Sequence, residues 1–341
     1  MNSLRRQVLM AFSGIIGAGV IPSSQHALLD PFPGEHAPAL SEISLQNLAA
    51  ITHQFRIMQR QGDTFIIKGL LGHIATIEEA LYRTKQDIIR RELWRLLAQA
   101  QLVARLHPIQ KLGLAQAKTL NEAAIASAIN SGDLALTGAA IGHLAHLYLR
   151  EERDLHKASQ LLDQAWDYSQ ESRDLRGWIA IVRASIAAHQ GDWQKCEVHI
   201  TEAMEIVDSL SGPQQHPDPY FTDFSRLSVQ IFAGNCWLTL GAAERAYELL
   251  TASPVEELSM NRQASAHYDL ARASIVVGEI EAAQRHAFKA MDLAQAMEQE
   301  YIIHRCLALA HSIQHRDRCK PLAQAVIEYA HTIQRRRINS L

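Results

Sequence analysis

From about residue 44 to residue 336, apolar residues recur every three or four positions, the spacing that puts them on one face of an α-helix. The pattern predicts helices over 44–60, 64–83, 86–106, 112–130, 134–150, 154–171, 174–190, 192–210, 221–240, 242–252, 260–277, 279–297, 299–315 and 319–336. Breakers punctuate it: Gly62-Asp63, His107-Pro108, Gly132-Asp133, Gly191-Asp192, Gly241, Ser253-Pro254 and Gly278-Glu279. A glycine supplies the left-handed end of one helix, and an acidic residue suits the positive start of the next. Val and Ile nowhere alternate with polar residues over a strand's length between hairpin turns. The fold class predicted is therefore all-α. Ahead of the helices lie an apolar segment, 1–21, and a linker, 22–43, with Pro22, Pro31, Pro33 and Pro38; residues 337–341 form a short tail. The stretch 211–220 carries three prolines and reads as an insertion between two helical units rather than a domain boundary.

Composition narrows the possibilities. Of 341 residues, 48% are hydrophobic and 20% charged, which excludes a disordered chain. Lys and Arg number 33 against 36 Asp and Glu, a net charge of −3 with His neutral, so no basic excess points to nucleic acid. Seventeen His make the surface responsive to mild acid. Cys196, Cys236, Cys306 and Cys319 are spaced 40, 70 and 13 apart, which matches no zinc pattern and reads as reduced, buried small residues. The uncharged run Val8 to Ile21 has 14 residues and is too short to span a bilayer. With Arg5-Arg6 before it, the run has the layout of a twin-arginine export signal; the other reading is a docking helix. Gly14, Gly17 and Gly19 lack the strand and the Lys-Ser/Thr that a phosphate loop needs.

Four segments align on a small residue: Ala158, Cys196, Ala246 and Ala283, spaced 38, 50 and 37, the longest interval holding the Pro-rich insertion. A second small residue comes seven positions on, at Ala165, Ala203 and Ala290, on the same helix face. This resembles the tetratricopeptide repeat, a helix-turn-helix unit of about 34 residues, over roughly 86–336. The first-helix signature is degraded, with Gly234 and Trp237 at small and aromatic positions. The order of parts (Arg-Arg-led apolar stretch, Pro-rich linker, long array) is similar to the C-terminal sensory region of bacterial helix-turn-helix regulators of the XRE type. That resemblance implies a superhelix of stacked antiparallel helix pairs, and a regulatory array standing alone or separated from its DNA-binding part.

In such a superhelix the first helix of each pair lines the concave face. The repeat register places His143, Leu147, Trp178, Ile181, Ser185, Ile231, Asn235, Tyr268 and Arg272 there. Asn235 can clamp a peptide backbone, Arg272 can grip a carboxylate, and Trp178 and Tyr268 offer apolar bodies with polar tips. His304, His311 and His315 form a stripe whose outer spacing is too long for one metal ion, and His143 and His146 read as no more than a helix-face pair. Glu78-Glu79, Glu151-Glu152 and Glu256-Glu257 read as solvated faces, and Arg90-Arg91 and Arg335-Arg336-Arg337 are too short for DNA binding. No motif organises a nucleophile with a base. The expectation is a non-enzymatic scaffold without cofactor or metal. It binds a peptide or protein segment in its groove, serves a bacterial transcription-regulation system with a separate DNA-binding regulator as a candidate partner, and has the option of self-association. It makes no direct nucleic-acid contact and has no membrane span. Cytoplasmic placement is the first expectation, and an exported structural repeat protein the alternative.

Overall fold

Gly-Asp turns set the rhythm of the chain. At Gly191 the backbone enters the left-handed region at φ 74°, which glycine adopts without a Cβ clash, and Asp192 then caps the next helix by accepting from Lys195 N at 3.0 Å. Where no glycine is available, Arg153 takes the left-handed conformation itself at φ 54°, after a π-helical turn over Tyr148–Glu152, and Asp154 caps the helix after it. The computed structural model describes residues 42–63, 66–105, 114–210 and 218–338. The apolar segment 1–21, nearly all of the linker, the Pro-rich 211–217 and the last three residues lie outside the described residues.

Fourteen α-helices occupy the described residues, with no strand among them. In order they are α1 (Glu42–Arg60), α2 (Ile66–Arg83), α3 (Asp87–Ala104), α4 (Leu114–Ser131), α5 (Leu134–Leu147), α6 (Leu155–Tyr168) and α7 (Arg173–His189). Then come α8 (Trp193–Ser209), α9 (Arg226–Leu240), α10 (Ala243–Thr251), α11 (Met260–Val277), α12 (Ile280–Ala296), α13 (Glu300–Ile313) and α14 (Lys320–Ile338). Consecutive helices pair as α1/α2 through α13/α14. The first members also touch in an unbroken series, α1 to α3, α3 to α5, and so on to α13. This is a tetratricopeptide-like superhelix whose inner layer is made by the odd-numbered helices. None of the described helices is long and apolar enough to cross a membrane.

Small side chains let the pairs close. Ala158, Ala165, Cys196, Ala203, Ala246, Ala283 and Ala290 are all fully buried. Facing them are glycines: a Cβ on Gly138 would lie 3.0 Å from the Ala165 carbonyl oxygen, and one on Gly234 would lie 2.6 Å from Leu250 Cδ2. The tightest case is Gly177, where a Cβ would meet Phe224 Cε1 at 2.6 Å, Phe224 Cζ closer still, and Ile206 Cγ2 at 2.9 Å. Alanine there gains about 0.5–1 kcal/mol of helix propensity, but overpacking costs about 1–3 kcal/mol. Phe224 is buried and cannot swing aside, so overpacking wins. Gly177→Ala should lose about 1–2 kcal/mol in urea unfolding. Gly177→Ala/Phe224→Leu should lose less than the two single losses added; strict additivity would place the clash elsewhere.

The helix predicted over 221–240 begins only at Arg226. Asp218 explains the delay. Its carboxylate accepts from Tyr220 N at 3.0 Å, Asp223 N at 2.6 Å and Thr222 Oγ1 at 3.3 Å, offering the backbone an alternative to helix. Phe221 and Asp223 take left-handed conformations, and Ser225 then caps α9.

Candidate functional site

The segment 218–225 turns into the concave side and touches five of the seven helix pairs found among the described residues. Gln99 of α3 donates to the Pro219 carbonyl at 3.2 Å. His143 of α5 donates through Nε2 to the Tyr220 carbonyl at 2.8 Å. Arg262 of α11 donates to the Thr222 carbonyl at 2.8 Å and to Ser228 Oγ at 2.8 Å. Phe224 packs on α7 at Gly177, and the Arg56 guanidinium of α1 lies over the Phe221 ring at 5.1 Å.

Asp223 is the centre of this arrangement. It pairs with Arg56 at 2.9 Å, with Arg60 at short range, and with Arg262 at 3.9 Å. Burial would raise its carboxyl, but the Arg56, Arg262 and Arg60 charges outweigh burial and hold it below the usual range. One carboxylate thus joins the first helix pair to the sixth. Just past the same end of α1, Gly62 is pressed against Met297 and Met260, within 2.6 and 2.9 Å of where its Cβ would be. The superhelix therefore returns on itself, and its trough is enclosed on the side of α1.

Beside the inserted segment is a cavity of about 300 Å³, at the small end of ligand-pocket sizes. Its lining includes six arginines (Arg56, Arg105, Arg150, Arg153, Arg262 and Arg305) against three carboxylates, Glu151, Asp223 and Asp269. Arg105, at the end of α3, is buried and faces no carboxylate among the described residues. Its Nη2 donates to His143 Nδ1 at 2.8 Å, while its Nε has no partner among the described residues. Burial, then the nearby Arg56 charge, brings the guanidinium down to about 9, so it remains a cation at neutral pH. His143 accepts from Arg105 on one nitrogen and donates to Tyr220 from the other, which fixes the neutral tautomer. Burial and the Arg105 charge hold it well below the usual histidine range. His146 Nε2 is likewise buried without a partner among the described residues; burial, then Arg150, Arg105 and Arg262, keep that ring neutral too.

Of the residues placed on the concave face by sequence, His143, Leu147, Trp178, Ser185, Ile231 and Asn235 line this cavity. Trp178 is buried, its ring 4.7 Å from His143 and pressed on Gly142, so it forms a wall. Ile181 is fully packed in the core. Asn235 and Arg272 converge on one group: Asp269 accepts from Asn235 at 2.8 Å and from Arg272 at 3.3 Å. Tyr268 lies under the Arg305 guanidinium at 4.1 Å, and neither Tyr268 nor Arg272 is part of the lining. His304, His311 and His315 are exposed, and no three His, Cys, Asp or Glu among the described residues are grouped to hold a metal. All four cysteines are buried and unpaired by disulfides.

Arg56, Arg105, Asp223 and Arg262 escape a reading of the sequence. Each is a single charge at a helix end or in a loop, brought to the others only by the curvature of the superhelix. The one signal is local: two hydrophobic residues, Phe221 and Phe224, flank Asp223 directly after the Pro-rich insertion.

Fold and cavity together define a tetratricopeptide-like helical array with a cationic, partly enclosed interior. No protein-family model and no curated protein matches the chain. Solved structures do. A Rap protein complexed with Competence and Sporulation Factor superposes with a TM-score of 0.53 at 13% identity, covering 85% of this chain and 78% of that one. BtubC (BKLC) from P. vanneervenii gives a TM-score of 0.46 at 19% identity, covering 70% and 92%. The Rap likeness agrees with the all-α superhelix of antiparallel helix pairs.

Proposed function

We propose that this chain is a non-enzymatic regulatory scaffold that holds a peptide or an extended protein segment on its concave face. The observation that carries this reading is the segment 218–225. It is non-helical chain lying in the groove, and inner-helix side chains take four of its carbonyls, those of Pro219, Tyr220, Thr222 and Asp223. A surface that satisfies the carbonyls of one non-helical stretch has the chemistry to satisfy those of another. An acid/base role for His143 is disfavoured because its Nδ1 is taken by the Arg105 guanidinium, and that charge together with burial opposes protonation of the ring. The Rap protein was solved with Competence and Sporulation Factor bound, and this favours a ligand-responsive array on the same fold. The resemblance to the sensory region of XRE-type regulators extends the reading to a transcription-regulation system in the cytoplasm. Four buried, unpaired cysteines are in keeping with a reducing compartment.

A photo-crosslinking amino acid at Ile231, in the cavity lining, tests the groove in living cells. Adducts with a peptide or protein segment are expected there and not at Val198, which is exposed on the outer helix α8. Equal adduct yield at the two positions would end the groove reading. N-terminal sequencing of the same cytosolic protein should find a start at Met1 or Asn2; a start near residue 28 would place the mature chain outside.

A further inference from the structure

Antiparallel pairing gives the superhelix two unlike edges. The turns within pairs lie along one of them and the turns between pairs along the other. At its first three junctions the between-pair edge carries large apolar side chains. Tyr82, in the last turn of α2, is 81% exposed, and Ile88, in the first turn of α3, is 82% exposed. Ile129 and Leu134 bracket the turn from α4 to α5, and Tyr168 ends α6 before the turn to α7; all three are exposed as well. An exposed apolar residue on its own is ordinary, but a row of them along one edge marks an interaction surface. Neighbouring helix layers lie about 10 Å apart, so the row from the first junction to the third is about 20 Å long.

The chain brings a matching piece to this same edge. α1 starts at Glu42 and runs antiparallel to α2, which puts Glu42 at the edge that holds Tyr82 and Ile88. Residues 22–41 join it to the uncharged run Val8 to Ile21, and a linker of that length reaches up to about 65 Å. Within the run, Leu9, Phe12, Ile16 and Val20 are spaced i, i+3, i+7 and i+11, while Ala11, Gly14 and Ala18 fall on the opposite side of the helical wheel. A stripe of bulk on one side and small residues on the other suits contact with a single surface. A helix of 14 residues measures about 21 Å, the length of the row.

We propose that residues 8–21 dock on the chain's own between-pair edge, with Leu9, Phe12, Ile16 and Val20 against Tyr82, Ile88, Ile129 and Leu134. Tethering selects this occupant. A short linker holds the segment at an effective concentration of order millimolar, which a second copy at micromolar concentration does not match. The contact lies on a different surface from the concave face, so it goes beyond the groove reading and does not rest on it.

Benzoylphenylalanine, a photo-crosslinking residue, is placed at Tyr82 or Leu134 in the full chain, and at Val198 on the outer helix α8 as the control. All three positions are exposed, so the fold accommodates the exchange. Light and isotopically heavy chains are mixed in equal amounts, irradiated and digested after Asp and Glu, which releases residues 1–30 apart from α1. Mass spectrometry should find cross-links from positions 82 and 134 into residues 8–21, about tenfold above the yield at 198 and joining peptides of one isotope. Phe12→Asp/Ile16→Asp lies outside the helical array and should bring that yield down to the control level. Light–heavy pairs as frequent as same-isotope pairs would give the edge to a second copy and overturn the proposal. A yield at 82 and 134 no higher than at 198 overturns it, and so does a yield that survives the double substitution. A purified chain that begins near residue 28 overturns it too, while adducts at Ile231 would still report on the groove.

Discussion

Asp223→Asn is expected to destabilise the protein by about 3 kcal/mol and to free the first helix pair from the sixth. The substitution keeps shape and tolerates the left-handed backbone at φ 49°, so neither strain nor a cavity confounds it. What it removes is the anion shared by Arg56, Arg60 and Arg262. Deleting one partner of a buried pair costs about 3–5 kcal/mol, because the remaining charge stays buried and uncompensated. The low end applies here. Arg60 is 42% exposed and is resolvated by water, and Arg262 keeps the Thr222 carbonyl and Ser228. The loss is read as a lower urea midpoint, and its location as faster amide exchange in α1 with little change in α8. Asp208→Asn is the matched control. That carboxylate pairs with Arg226 across an open surface, 46% and 57% exposed, where such pairs contribute about 0–1 kcal/mol. Equal losses in the two variants would mean that Asp223 does not close the array.

The fold is largely legible in the sequence because its determinants are local. Gly191-Asp192 and Gly132-Asp133 announce their turns within two residues, and Ala158 and Ala165 announce a packing face within two helical turns. The structure starts each helix within a few residues of where the periodicity does, except at α9, where Asp218 diverts the backbone through side-chain bonds that periodicity does not encode. The site is legible in part. His143, Ser185 and Asn235 are placed by helix phase alone, and they line the cavity. Arg56 meets Arg262 only because the curve of the array brings its first pair to its sixth, and small rotations per repeat, which accumulate, are not written at any one position. Helix phase also points Asn235 and Arg272 toward a ligand, whereas both are bound to Asp269 between them. That partner is hidden in the sequence, for an aspartate on an inner helix looks like any solvated acid until its burial is seen.

Acidification from pH 7 to pH 5 should cost about 4 kcal/mol through His143 and His146. Both rings are held neutral in the folded chain by burial first and by arginines second: Arg105 and Arg56 act on His143, and Arg150, Arg105 and Arg262 on His146. In the unfolded chain each takes a proton near the ordinary histidine value of about 6.5. Below that value the unfolded state binds more protons than the native one, so stability is full above about 6.5 and falls as the pH drops. The fall is about 1.4 kcal/mol per unit for each ring. His73, His286 and His267, the last lowered to about 4, are also depressed by burial and push the same way. Asp223 does not contribute in this window. Its carboxyl is depressed, so its share of stability is lost only below the ordinary carboxylate range of about 4. His143→Gln separates the terms, since a glutamine amide can accept from Arg105 and donate to Tyr220 without titrating. It should melt near the wild type at pH 7.5 and lose about 2 kcal/mol less stability than the wild type by pH 5. If its melting temperature tracks the wild-type pH curve, His143 titrates freely and the buried Arg105–His143–Tyr220 chain does not hold in solution.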